Sequence, residues 1–148
     1  MTDNLAFLIE SAGCPARSDI IAYHLNISVY PLEKESKCKA VFDLHNKKIQ
    51  YHPALSTSEI RMLIGLGIVL SNSFISTEKI IIENENISSP HFKFSQAMRQ
   101  VGKMLLTQKN VSLFVHKLKI YKIEELAQKF DVSEEMMYYR LKELKMIN

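Results

Sequence analysis

Five histidines, two cysteines and four glycines are the residues of this chain from which a catalytic or metal centre would have to be assembled. A metal site needs several donors converging, usually His, Cys, Asp or Glu at helical or turn spacing. Four residues after His24, His45, His52, His91 and His116 stand Ser28, Ile49, Ser56, Ser95 and Ile120. No HxxxH pair exists, so the two-ligand helical face of HExxH enzymes is missing. His45 and His52 would face each other across a predicted hairpin, where a surface pair is the simpler reading and a cross-strand metal clip the sharper one. His24 and His91 read as surface or capping residues. There is no GxSxG, GxGxxG or Walker loop, the glycines being at 13, 65, 67 and 102. Gly65 and Gly67 fall inside a helical pattern, where each costs ~1 kcal/mol relative to alanine. Close approach of another backbone accounts for them; the alternative is the relic of a site whose side chains are gone. The expectation is no catalytic residue, no metal and no cofactor.

The elements that would position any site are clearer. The 148 residues, 47% apolar and 24% charged, suit one core with a small appended unit. The longest charge-free apolar run, Met62 to Leu70, is half of what a membrane span needs. The N-terminus begins acidic and lacks the basic start of a secretion signal, which points to the cytoplasm. In that compartment Cys14 and Cys38, without CxxC spacing, are expected as free thiols. The net charge of +3 is uneven: residues 1–88 hold eight basic and ten acidic groups, residues 89–148 eleven and six. A basic second half fits either a solvated lysine-rich surface or a face turned to nucleic acid or an acidic partner.

Residues 4–12 have helical spacing and stop at Gly13 and Pro15. Ser18-Asp19 precede a second short helix, and 29–33 form a strand that Pro31 confines to an edge. Residues 38–52 read as a hairpin turning at 46–48, with Val41, Asp43 and His45 alternating against Phe42 and Leu44. Ser56 with Glu59 forms a capping box that starts a helix to Leu70. Apolar residues on every side of that helix predict burial all round. Residues 79–83 fit a short strand and 84–90 a loop. From Phe94 the pattern is helical, with a helix near 94–107 bearing Met98, Val101 and Leu105 on one face. A shorter unit spans 111–119. The fold class is α+β: a small sheet on a buried central helix, then an all-helical C-terminal part. The division falls at 1–110 and 111–148.

The final 28 residues resemble a helix-turn-helix, with Ser133 capping its second helix and Val132, Met137, Leu141 and Leu144 facing inward. A DNA reader presents basic or amide groups near the start of that helix. Here Glu134-Glu135 stand there, with Lys129, Arg140, Lys142 and Lys145 around the edges. Packing or partner docking is therefore favoured over DNA reading, which stays as the alternative.

The order of these elements, together with DVSEEMMYYRLKEL, resembles the ImmA/IrrE-type zinc-peptidase-like regulators of bacteria, phages and mobile elements. Their R-F-T-x-A-H-E-x-G-H helix falls on Arg61–Leu70, which puts Leu66 and Leu70 at the metal-ligand positions and Gly67 at the general-base position. Their E-x-x-A-N-x-F-A-x-x-L-L helix puts Ser95 at the third ligand position and matches Leu105-Leu106. The V-S-x-x-A-x-x-x-R-L tail matches best, on Val132-Ser133 and Arg140-Leu141. Every group that would hold or use zinc is replaced. The resemblance thus implies a metal-free pseudo-peptidase that keeps a partner surface, binding a phage-type repressor or other regulator stoichiometrically. Lys117, Lys119, Lys129, Tyr138, Arg140 and Lys142 are the expected partner contacts.

Overall fold

The computed structural model describes Ile9, residues 13–73 and residues 78–148. The helix predicted over 4–12 lies outside the described residues except for Ile9, which is helical and buried. Helix α1 (Ser18–His24) leads into strand β1 (Ser28–Pro31). Strands β2 (Ala40–Asp43) and β3 (Lys48–Tyr51) form the expected hairpin, and helix α2 (Thr57–Ser73) follows. Strand β4 (Ile80–Ile82) completes a four-stranded sheet in the order β1-β3-β2-β4. β1 runs parallel to β3, and the other pairs are antiparallel. The fold class is α+β.

Proline lacks the amide proton that a central strand must donate, and Pro31 accordingly ends the edge strand β1. In β2 the alternation expected from the sequence holds: Ala40, Phe42 and Leu44 are buried while Val41 and Asp43 are half-buried. The hairpin turn differs by one residue from the expected one. Lys48 already pairs with Asp43, and the reversal is made by Lys47 in the left-handed region at φ 52°. The Asp43 carboxylate stabilises this turn by accepting from the Asn46 backbone (3.4 Å) and side-chain amide (3.0 Å). The Asn46 hydrogen bond holds its pKa below the usual 3.8.

Helix α2 is the centre of the molecule. Met62 to Ile68 and Leu70 are all buried. Its glycines show why. A Cβ on Gly67 would lie 2.4 Å from Ile49 Cδ1 and 2.7 Å from its Cγ1, so the sheet sits directly on the helix there. A Cβ on Gly65 would lie 2.8 Å from Val101 Cγ1, on the helix that covers the other side. The approaching groups are side chains, not the second backbone expected from the sequence. The capping box is half made. Ser56 Oγ accepts from the Glu59 amide at 3.2 Å, but the Glu59 carboxylate turns to Lys39 Nζ, 2.7 Å away, instead of reaching back. An opposite charge beside β2 attracts the carboxylate more strongly than a neutral amide does.

Beyond a loop, α3 (Ser95–Leu105) packs on α2, and α4 (Gln108–Ser112) runs into one π-helical turn over Leu113–Lys117. Helices α5 (Ile123–Phe130) and α6 (Glu134–Glu143) form the helix-turn-helix. The turn begins at Asp131 in the left-handed region, φ 52°, where Val132 N donates to the Ala127 carbonyl at 3.1 Å. Ser133 Oγ accepts from the Met136 amide at 3.1 Å, as the sequence indicates. Leu126, Phe130, Val132, Met137 and Leu141 are buried in the same continuous core as Phe42, Leu63 and Leu66. Both cysteines are free thiols.

Candidate functional site

Of the positions set against the peptidase motif, Leu66, Gly67 and Leu70 are buried in the core. Leu66 is fully buried and Leu70 is 4% exposed. Gly67 is covered by Ile49, with Phe42 Cδ1 3.4 Å from where its Cβ would be. A glutamate there would have to displace the sheet. Ser95, the third matched position, is the first residue of α3 and borders a surface cleft that neither Leu66 nor Leu70 lines. Leu66 and Leu70 therefore do not share this cleft with Ser95. Among the described residues no group of three or more His, Cys, Asp or Glu side chains is placed to hold a metal ion. His45 and His52 are not cross-strand partners. His45 lies in the hairpin turn, whereas His52 is occupied by backbone groups, with Nε2 3.2 Å from the Lys34 carbonyl and Nδ1 accepting from the Ala54 amide at 3.1 Å.

The helix-turn-helix and the segment just before it present the other group of candidate residues. Lys117, Lys119, Lys129, Tyr138 and Lys142 are exposed. Lys142 Nζ lies 5.4 Å from the Tyr138 ring centroid, and Tyr139 meets Tyr138 edge-on at 5.4 Å. A cation over an aromatic face at this distance is attracted to its quadrupole, and the pair forms a small amphipathic patch. Arg140 is a correction. It was expected as an exposed partner contact, yet its side chain is 11% exposed and Nε donates to the Leu106 carbonyl at 2.8 Å. Leu106 caps α3, so this cation satisfies a carbonyl at the negative end of a helix and ties α6 to it. Burial pushes the Arg140 pKa below its usual value.

The charges of the tail follow the helix dipoles. Glu124 and Glu125 open α5, Glu134 and Glu135 open α6, and Lys129, Arg140 and Lys142 stand in their last turns. The acidic residues at the start of α6 are exposed. A helix entering the major groove by this end would bring two carboxylates toward phosphates.

Arg61 has a structural role that composition gives no sign of. It is the one cation on α2, and its guanidinium donates to the Ala16 carbonyl and to Asp131 Oδ2, the latter at 2.9 Å. It therefore joins the segment before α1, the central helix and the turn of the helix-turn-helix. An arginine at the head of an otherwise apolar helix was the available signal, but its partners lie 45 residues before it and 70 after it. No helix among the described residues is long and apolar enough to cross a membrane. No protein-family model and no curated protein matches the chain.

Proposed function

We propose that this chain is a catalytically inactive regulatory protein of ImmA/IrrE-like layout that acts in the cytoplasm. It binds a phage-type repressor, or a regulator of that kind, and modulates it one-to-one. The observation that supports this reading is the filled central helix. At the positions where the resembling peptidases keep two histidines and a glutamate, Leu66, Gly67 and Leu70 are packed against the sheet and core. Zinc chemistry needs several first-shell ligands, and surrounding groups do not replace them.

Regulation by binding needs only a difference in affinity between two states of the target. Shifting a repressor from almost fully active to almost fully inactive takes a difference of ~5.5 kcal/mol. A compact surface with a few aromatic and cationic anchors can supply that. Tyr138 and Lys142, with Lys117, Lys119 and Lys129, are the contacts assigned to it. DNA reading by the tail is the weaker alternative, because α6 begins with Glu134 and Glu135.

The test mixes the purified chain with a candidate repressor and its operator duplex. The expected result is a stable one-to-one complex on size-exclusion chromatography, loss of operator binding, and a repressor of unchanged mass. Repressor fragments would overturn the pseudo-peptidase reading. Direct, steeply salt-dependent binding of the chain to duplex would move the assignment to DNA.

A further inference from the structure

We infer that the cleft between α3, α6 and the 87–90 loop binds a small organic phosphate, its phosphoryl group held by Arg99, Arg140, Ser95 and Tyr139. The cleft encloses about 70 Å³, several times what a single water requires, and enough for one tetrahedral oxyanion. Its polar lining is selective in a way that the hydrogen bonds reveal. Ser88 Oγ is engaged with Ser133 Oγ at 2.7 Å, and Ser89 Oγ accepts from the His91 amide. Ser95 and Tyr139 also line the cleft, and neither hydroxyl has a hydrogen-bond partner among the described residues.

The two arginines supply the charge. Arg99 is exposed and has no ion-pair or hydrogen-bond partner among the described residues. Arg140 spends one N–H on Leu106, and its Nη1 is 4.0 Å from Glu143 Oε1, outside hydrogen-bond range. A guanidinium has five N–H donors, so most of those on this largely buried cation are unused. Glu143 also lines the cleft, leaving a net charge of +1 there. Helix α3, 11 residues long, begins at the same place with no acidic residue in its first turn and no side-chain cap. Its dipole adds to the attraction for an anion. Arginine forks and hydroxyls are the donors that suit a phosphoryl group. Ile87, Met98 and Met136 form an apolar wall for the organic part of the ligand.

Because Arg99 and Ser95 lie on α3 while Tyr139 and Arg140 lie on α6, the ligand would fasten the tail to the body of the protein. A ligand that binds only the folded arrangement raises stability as its concentration exceeds Kd.

Isothermal titration with phenyl phosphate at low ionic strength tests the inference on the whole chain, without any partner protein. It therefore fails or succeeds separately from the regulatory reading. The expected result is saturable one-to-one binding, displaced by inorganic phosphate and at least about tenfold weaker for benzoate. Arg99→Gln should weaken phenyl phosphate binding by about tenfold or more. Ser95→Asp should abolish it without lowering Tm, since a carboxylate suits the first turn of a helix while repelling the anion. No saturable binding, benzoate binding as tight as phosphate, or affinity unchanged in both variants would overturn the assignment.

Discussion

Replacing Gly67 by alanine adds a single methyl group at the tightest contact of the core. That carbon would sit 2.4 Å from Ile49 Cδ1 and 2.7 Å from Cγ1, whereas carbon atoms pack comfortably at about 3.5–4.0 Å. Ile49 is fully buried on the central strand β3 and is β-branched, so its χ1 has little freedom to retreat. A displacement of roughly 1 Å is required, and overpacking of this kind costs ~1–3 kcal/mol. Alanine recovers ~1 kcal/mol of helix propensity, leaving a net loss of about 0–2 kcal/mol and a Tm lower by up to ~8 °C. Gly102→Ala makes the matched control. It is also a buried helical glycine, but its Cβ would meet only Met136 Cγ at 3.8 Å, an ordinary contact. Relieved of any clash, it should gain up to ~1 kcal/mol. Urea unfolding followed by circular dichroism reads both, with unchanged m-values marking intact two-state behaviour. If Gly67→Ala gained stability over the parent protein as Gly102→Ala should, the close seating of sheet on helix would be refuted.

Other outcomes follow from the same contacts. Arg61→Met removes the bonds to Asp131 and to the Ala16 carbonyl and should cost at least ~1.5–3 kcal/mol, the range for one hydrogen bond to a charged group; in a double-mutant cycle with Asp131→Asn the losses should be less than additive. Ser133→Ala takes away the α6 cap and the partner of Ser88, and should lower stability by ~1 kcal/mol, while Ser133→Asp keeps most of it in thermal melts. Asp19 and Asp43 both have folded-state pKa values held below 3.8, by the hydrogen bonds from Arg17 and Asn46 respectively. Each therefore contributes stability that is present above its unfolded pKa and lost as pH falls through the folded one. Melts between about pH 5 and pH 2 should show a shallower loss for Asp43→Asn than for the parent protein. Tyr138→Ala should weaken partner binding by surface plasmon resonance and leave Tm within ~1 °C; Lys142→Glu should weaken it too, at a stability cost of about 1 kcal/mol from an acidic charge in the last turn of α6; Arg140→Met should lower Tm by removing the cation from the end of α3.

Much of the architecture is legible in the sequence because short-range patterns carry it. The alternation from Ala40 to Leu44 requires a sheet with one buried face, and Pro31 requires an edge. The unbroken apolar run after Arg61 requires a helix covered on all sides. Ser133 three residues before Met136 marks a helix start whatever surrounds it. The absence of HxxxH is likewise a property of spacing alone. What the sequence could not contain was which distant atoms fill the space around each residue. Gly67 is a glycine because Ile49 stands against it, and Gly65 because Val101 does. Glu59 abandons its own helix cap because β2 brings Lys39 within reach. Arg140 looked like a free surface cation until the fold laid it on the last carbonyl of α3. Arg99 gained a setting only when α3, α6 and the 87–90 loop closed around one cleft. Charge type and helical face are local properties, set by residue identity and period. Burial and hydrogen-bond partners are pairwise properties of residues far apart in the chain, and only the tertiary structure assigns them.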